Sequence, residues 1–146
     1  MAKVISVNIS KEKHVPKESI EKGIFKVDHG LVGDAHAGPG IRQVSLLAKE
    51  SYDEFEKLNF KKVCLKKGIF AENLTTEGII LYKLKIGTKL KINNVILEIS
   101  KIGKECHTEC TIAKTVGACI MPKQGVFAKV IQEGGIKTGD EIEINE

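Results

Sequence analysis

The sequence predicts a mostly-β domain, a closed or partly closed β-barrel with one main helix over about residues 45–58 and a few further helical turns. Three observations lead there. Period-two alternation recurs in "KVISVNIS", "GTKLKINNVILEIS" and "IKTGDEIEINE". Fourteen glycines against three prolines supply the tight turns that short strands need. One stretch, "LLAKESYDEFEKLN", carries helical spacing.

The elements follow in order. "KVISVNIS" is the first strand and "GIFKVDHG", bounded by Gly23 and Gly30, the second. "GLVGDAHAGPGIRQVSLL" is too broken by glycine and proline for a regular element and too long for a simple turn. Loops of that kind are usually functional or disordered, and the strong hydrophobic segments on both sides favour the functional reading. Ser45 is placed to cap the helix that follows. There Ala48, Tyr52 and Phe55 recur on one face, while Lys49, Glu50, Asp53 and Glu56 take the other. Asn93-Asn94 joins two alternating runs, a hairpin signal because asparagine tolerates positive φ. "GVFAKVIQEGG" is a further strand, and Gly134-Gly135 is expected to turn the chain into the last one.

A chain of 146 residues with 42% apolar and 29% charged residues reads as one ordinary globular domain over 1–146. Its net charge of +4 is too modest, and its aromatics at 5% too few, for a nucleic-acid-binding face. No run approaches a membrane span, and "MAKVISVNIS" is too short and lightly apolar for a signal peptide. A cytoplasmic location is therefore expected, with neither a membrane nor a nucleic acid as partner. In that reducing compartment Cys64, Cys106, Cys110 and Cys119 do not make a disulfide frame.

Cys64 reads as a buried hydrophobe, whereas "GKECHTEC" holds the candidate chemistry. A working thiol must be ionised near neutral pH and reachable. Gly103 lets the backbone approach closely, and Lys104 and His107 bring positive charge to Cys106, against Glu105 and Glu109. Cys106, Cys110, Cys119 and His107 also count as four zinc ligands, but the two close pairs of a zinc knuckle are absent, so the spacing argues against zinc. In the glycine-rich loop, Asp34 and His36 can pair or hold a polar ligand, and Arg42, the only arginine, can clamp a phosphate or carboxylate. Taken alone, these read first as an Asx-type turn at Asp34 and a surface histidine at His36. His14 and His29 read as surface residues. Asn73, Thr75 and Thr76 in "FAENLTTEGI" read as turn and cap residues.

These stretches, in order, resemble the MOSC domain, the family named after the C-terminal domain of molybdenum cofactor sulfurase. The residues that carry the resemblance are "GLVGDAHAG…RQVSLLAKES", "GIFAENLTTEGI", "LKIGTKLKINNVILEIS", "GKECH" and "GVFAKVIQEGGIKTGDEI". They span nearly the whole chain, and the likeness is to the short, stand-alone bacterial form.

The resemblance implies a barrel of mixed topology with short peripheral helices, and a role tied to the molybdenum or tungsten cofactor. That role is sulfur carriage on a cysteine persulfide, or binding of the molybdopterin cofactor with the cysteine at the molybdenum ion. The family's cysteine falls on Cys106. Cys110 and Cys119 stand nearby as alternates, which is a departure from the family's single cysteine. Asp34, His36, Arg42, Lys104 and His107 would then bind the cofactor. As a carrier the chain needs a pyridoxal-phosphate-dependent cysteine desulfurase or a molybdenum cofactor enzyme as sulfur partner. Two other readings stand beside it. One is a molybdenum-dependent oxidoreductase of N-hydroxylated compounds, with an external electron partner. The other is a zinc-stabilised interaction module.

Overall fold

The structure, a computed structural model, describes residues 2–12, 17–58, 72–103 and 125–145. Eleven strands are formed there: β1 (Lys3–Ile9), β2 (Glu18–Ile20), β3 (Lys22–Lys26), β4 (Gly30–Leu31), β5 (Val44–Ala48), β6 (Leu74–Glu77), β7 (Lys89–Ile92), β8 (Val95–Ile102), β9 (Val126–Gln132), β10 (Gly134–Lys137) and β11 (Ile142–Asn145). The helix α1 (Lys49–Leu58) and a 3-10 turn at Leu81–Lys83 complete the described elements. No described helix is long and apolar enough to cross a membrane.

Eight strands form one sheet in the order β11-β7-β8-β9-β5-β6-β1-β2, and three form a second in the order β10-β3-β4. The topology is mixed: β5 and β6 run parallel, and every other pairing is antiparallel. A parallel pair needs a crossover. Here α1 lies in it, between β5 and β6.

Among the described residues neither sheet is closed by a strand ladder, so the expected closed or partly closed barrel is not borne out there. β11 ends the large sheet on one side and the three-residue β2 on the other. A single bridge, Lys3 to Glu141, brings the start of β1 to the chain entering β11.

The core lies between the sheets. Val4, Val7, Leu46, Leu74, Leu90, Leu97, Ile99, Val126 and Ala128 of the large sheet meet Phe25, Leu31 and Ile136 of the small one. With no tryptophan in the chain, branched aliphatic residues fill this space. At about 1.5–3 kcal/mol for each large side chain buried, they dominate the stability.

Two elements differ from the sequence expectation. Residues 44–48 are strand, so the helix starts at Lys49 rather than at Ser45. All five β5 residues are buried, because β9 and β6 flank the strand and both of its faces are covered. Such a run lacks period-two alternation and merges with the helical pattern that follows it. Gly134-Gly135 is likewise not a turn but the start of β10, paired with Phe25 and Ile24 of β3.

Candidate functional site

The loop from residue 32 to 43 is pinched at its base. Gly30 has φ +110, and a Cβ there would lie 2.2 Å from the Gln43 carbonyl oxygen, so only glycine fits. Gln43 holds the other side. Its amide nitrogen donates to Gly40 O at 3.0 Å, and its Oε1 accepts from Val130 N–H of β9 at 3.0 Å. Within the loop, Asp34 N–H donates to Leu31 O, Ala35 N–H to Ser10 O and Gly38 N–H to His29 O. The segment is thus a tied structure rather than a slack connection.

Asp34 is the hub. Its Oδ1 lies 2.7 Å from Lys17 Nζ, both side chains having zero exposure. Oδ1 also accepts from Ser10 N–H, and Oδ2 from the backbone N–H of His36. Burial pushes the Asp34 carboxyl up. The hydrogen bond and charge of Lys17, with the Asn73 amide and Ser10 N–H, outweigh that and hold it below the usual carboxylate range. Lys17 Nζ also lies 3.1 Å from Nδ1 of the half-buried His36. Asp34 and His36 are therefore brought together through a third residue that sequence reasoning missed.

Arg42 sits apart from that cluster. Its guanidinium lies over the Phe127 ring, 5.6 Å from the centroid. Ser100 of β8, at an irregularity in the β8–β9 register, donates its hydroxyl to Ile41 O and so fixes the residue before Arg42. Among the described residues no carboxylate pairs with Arg42. Across the sheet, Phe127 is the register partner of Ser45 on one side and of Lys101 on the other. Directly paired residues share a face. Lys101, half-buried, therefore shares the Phe127 face over which Arg42 lies.

This face, opposite the core, carries a hydrogen-bonded polar band. Asn73 Oδ1 accepts from Ser45 N–H at 3.0 Å, and Asn73 Nδ2 donates to Asn8 O. Asn8 Nδ2 donates to Thr75 Oγ1 at 3.0 Å. Thr75 and Tyr52 of α1 both donate to Glu72 Oε2, at 2.7 and 2.5 Å. Asn8, Asn73, Thr75 and Glu72 are all buried. Asn73 and Thr75 are thus part of a buried network, and Thr76 a buried strand residue, rather than local turn and cap residues.

Cys106, Cys110, Cys119, Lys104 and His107 lie outside the described residues, as do Cys64 and His14. The segment that carries the three clustered cysteines leaves β8 and rejoins β9 at a backbone hydrogen bond, Gly103 N–H to Gly125 O at 2.7 Å. The pairs Ile102–Val126 and Lys101–Phe127 lie directly beneath it. Arg42 is therefore held above the residue pair next to the point where that segment begins. Among the described residues no group of three His, Cys, Asp or Glu side chains is placed to hold a metal ion.

Lys17 and Glu72 were missed because nothing local marks them: one stands in a lysine-rich stretch, the other beside a loop. Only the partner, distant in sequence, makes either one notable.

A mixed two-sheet fold with a tied polar loop beside an arginine-bearing sheet face defines a small β-rich class of domain. The MOSC domain family model matches residues 33–143, and the chain belongs to that family. Its fold is similar to that of the YuaD protein from Bacillus subtilis, at 19% identity and TM-score 0.79, covering 99% of this chain and 96% of that one. It is also similar to YiiM from Geobacillus stearothermophilus, at 17% identity and TM-score 0.75, covering 100% of this chain and 76% of that one. YiiM from Escherichia coli gives 16% identity and TM-score 0.74, covering 100% and 70%. At these identities the likeness is one of fold. No curated protein matches the sequence.

Proposed function

We propose that this chain is a single-domain, molybdenum-cofactor-associated protein. In it the Cys106 thiolate accepts transferable sulfur or ligates the metal, and the loop bearing Asp34, His36 and Arg42 binds the polar part of the ligand. Membership of the MOSC family supports the link to the cofactor. The observation that carries the site is Arg42, exposed over Phe127 and unpaired with any described carboxylate, beside the root of the cysteine segment.

The cations of this face suit the phosphate of that group. A pterin phosphate is a dianion, and an unclaimed guanidinium fork takes two of its oxygens. Lys101, on the same face, adds a second positive charge, and Lys104 a third from the adjoining segment. When bound, the cofactor supplies a sulfur-rich, redox-active metal centre, for which a thiolate is a suitably soft ligand. In the carrier role, Cys106 attacks the outer sulfur of a cysteine desulfurase persulfide. The S–S bond breaks, the desulfurase thiolate leaves, and the persulfide now stands on Cys106.

Intact-protein mass spectrometry tests this on chain isolated from a cofactor-producing host without reductant. Added sulfur or bound pterin on the wild type, and neither on Cys106→Ser, is the expected result. Equal loading of Cys106→Ser would overturn the assignment, and loss only in Cys110→Ser or Cys119→Ser would move the role to that thiol. One zinc per chain, with unfolding on chelation, would replace the proposal by a structural metal site.

A further inference from the structure

The strand β8 changes face at one point. Val95, Leu97 and Ile99 enter the core at period two, and the same count would send Lys101 after them. It does not. Between Ile99 and Lys101 the register shifts: Ile99 pairs with Ala128 and Lys101 with Phe127, while Ser100 has no register partner. Two residues of β8 thus stand opposite one of β9, which is a β-bulge, a feature that re-aims side chains. Ile102, paired with Val126, packs against the core in place of Lys101. A lysine that alternation would bury reaches instead the face over which Arg42 lies.

Ser100 is the extra residue of that bulge. Its hydroxyl meets two carbonyl oxygens, Ile41 O in the loop and Phe127 O at 3.2 Å in β9. A hydroxyl has one proton, so the two acceptors share it. One group therefore ties the residue before Arg42 to the residue whose ring lies 5.6 Å beneath the guanidinium carbon. The buried Gln43 holds the ends of the same short segment: its amide nitrogen donates to Gly40 O, and its Oε1 accepts from Val130 N–H. Ser100 holds the middle.

We infer that Ser100 is the positioning residue of the Arg42 anion site: its hydroxyl, aimed by the β8 bulge, holds the guanidinium over Phe127 before any ligand arrives. This rests on the anion-binding role proposed above. A side chain that is already ordered loses less freedom on binding, so a fixed fork takes phosphate oxygens more tightly than a swinging one. Ser100 acts through Arg42 and not on the ligand, since the two carbonyls already take its one proton.

Nitrogen-15 relaxation and proton shifts of the Arg42 side chain, measured on the full, labelled chain, test this without a ligand. Arg42 is the only arginine in the chain, so its Nε–H signal identifies itself. In the wild type that N–H is expected to be ordered on the nanosecond scale, with the Arg42 side-chain protons shifted upfield by the Phe127 ring. Ser100→Ala is expected to lose both signatures and to bind inorganic phosphate several-fold more weakly. Ser100→Thr keeps the hydroxyl and should behave as wild type in both measurements. A merely structural serine would lower the stability of Ser100→Ala and leave the Arg42 signals where they were, and that result overturns the inference. So does a wild-type Arg42 as mobile and unshifted as in a free peptide, whether or not Ser100→Ala folds. Arg42 released in Ser100→Ala, in a protein whose wild type binds no phosphate, leaves the Ser100 role standing and counts against the ligand proposed for the site.

Discussion

Lys17 Nζ and Asp34 Oδ1 form a 2.7 Å ion pair in which neither side chain is exposed to solvent. Removing one partner leaves the other charge buried without compensation, which costs about 3–5 kcal/mol, while removing both costs far less. Lys17→Met and Asp34→Asn are therefore each expected to lower the urea-unfolding free energy by an amount in that range. The double variant should lose much less than the sum. Additive losses would show that the two side chains do not depend on each other.

The same pair sets an acid limit. The Asp34 carboxyl titrates below its ordinary value of 3.8 in the folded chain. A depressed carboxylate contributes stability that is fully present above the ordinary value and is lost as pH falls through the lower, folded one. Stability should thus hold above about pH 4 and fall below it, as the unfolded chain takes up the proton first. In Asp34→Asn that part of the acid slope disappears, and unfolding curves collected between neutral pH and pH 2 read the difference.

Asn73 links the loop to the polar band. Its side chain accepts from Ser45 N–H, donates to Asn8 O and supports Asp34. Asn73→Ala leaves buried backbone groups unpaired, at about 1–3 kcal/mol for each. A loss of at least that size in urea unfolding is expected, accompanied by a rise in the Asp34 titration midpoint. If stability falls and Asp34 is unmoved, the amide supports the sheet alone.

How much of this was legible in the sequence depends on the range of the interactions. Alternation revealed β1, β7, β8 and β11, and the Asn93-Asn94 hairpin between β7 and β8 is formed, with Asn93 at φ 56. The broken run before β5 proved to be a tied loop, and Asp34 and Arg42 within it are held by specific partners. Ser45 was misread because a strand buried on both faces has no alternation to distinguish it from the start of a helix. Lys17 and Glu72 had no local signal, since their significance lies in partners Asp34 and Tyr52, 17 and 20 residues away. Barrel closure is a property of how the sheet ends meet, and strand patterns do not encode it.

Arg42 is expected to hold its ligand through the shape of its fork. Lysine keeps the charge but loses the paired donors, so Arg42→Lys should weaken inorganic phosphate binding roughly tenfold, about 1.4 kcal/mol. Arg42→Gln should weaken it more, and the exposed control Lys85→Gln should do nothing measurable. Phe127→Leu removes the ring beneath the guanidinium and is expected to cost a smaller factor, since such a contact contributes about 0.5–1 kcal/mol at an exposed site. Calorimetric titration at fixed ionic strength reads all four. Equal affinity in Arg42→Lys and wild type would return Arg42 to the role of a surface cation.

Lys101 provides the sharpest contrast among the cations. It is the register partner of Phe127, so its position is set by the β8–β9 ladder and not by the segment that begins after Gly103. In the sequence Cys106 stands three residues after Gly103, nearer a strand end than Cys110 or Cys119. If the thiol and the cations serve one ligand, Lys101→Gln should reduce both phosphate affinity and the sulfur or pterin found on Cys106. Lowering the salt concentration should partly restore binding by reducing the screening of Arg42. The paired measurement is a phosphate titration and an intact mass on the same preparation. Weaker phosphate binding with undiminished loading of Cys106 would separate the anion site from the thiol and end the case for a shared pocket.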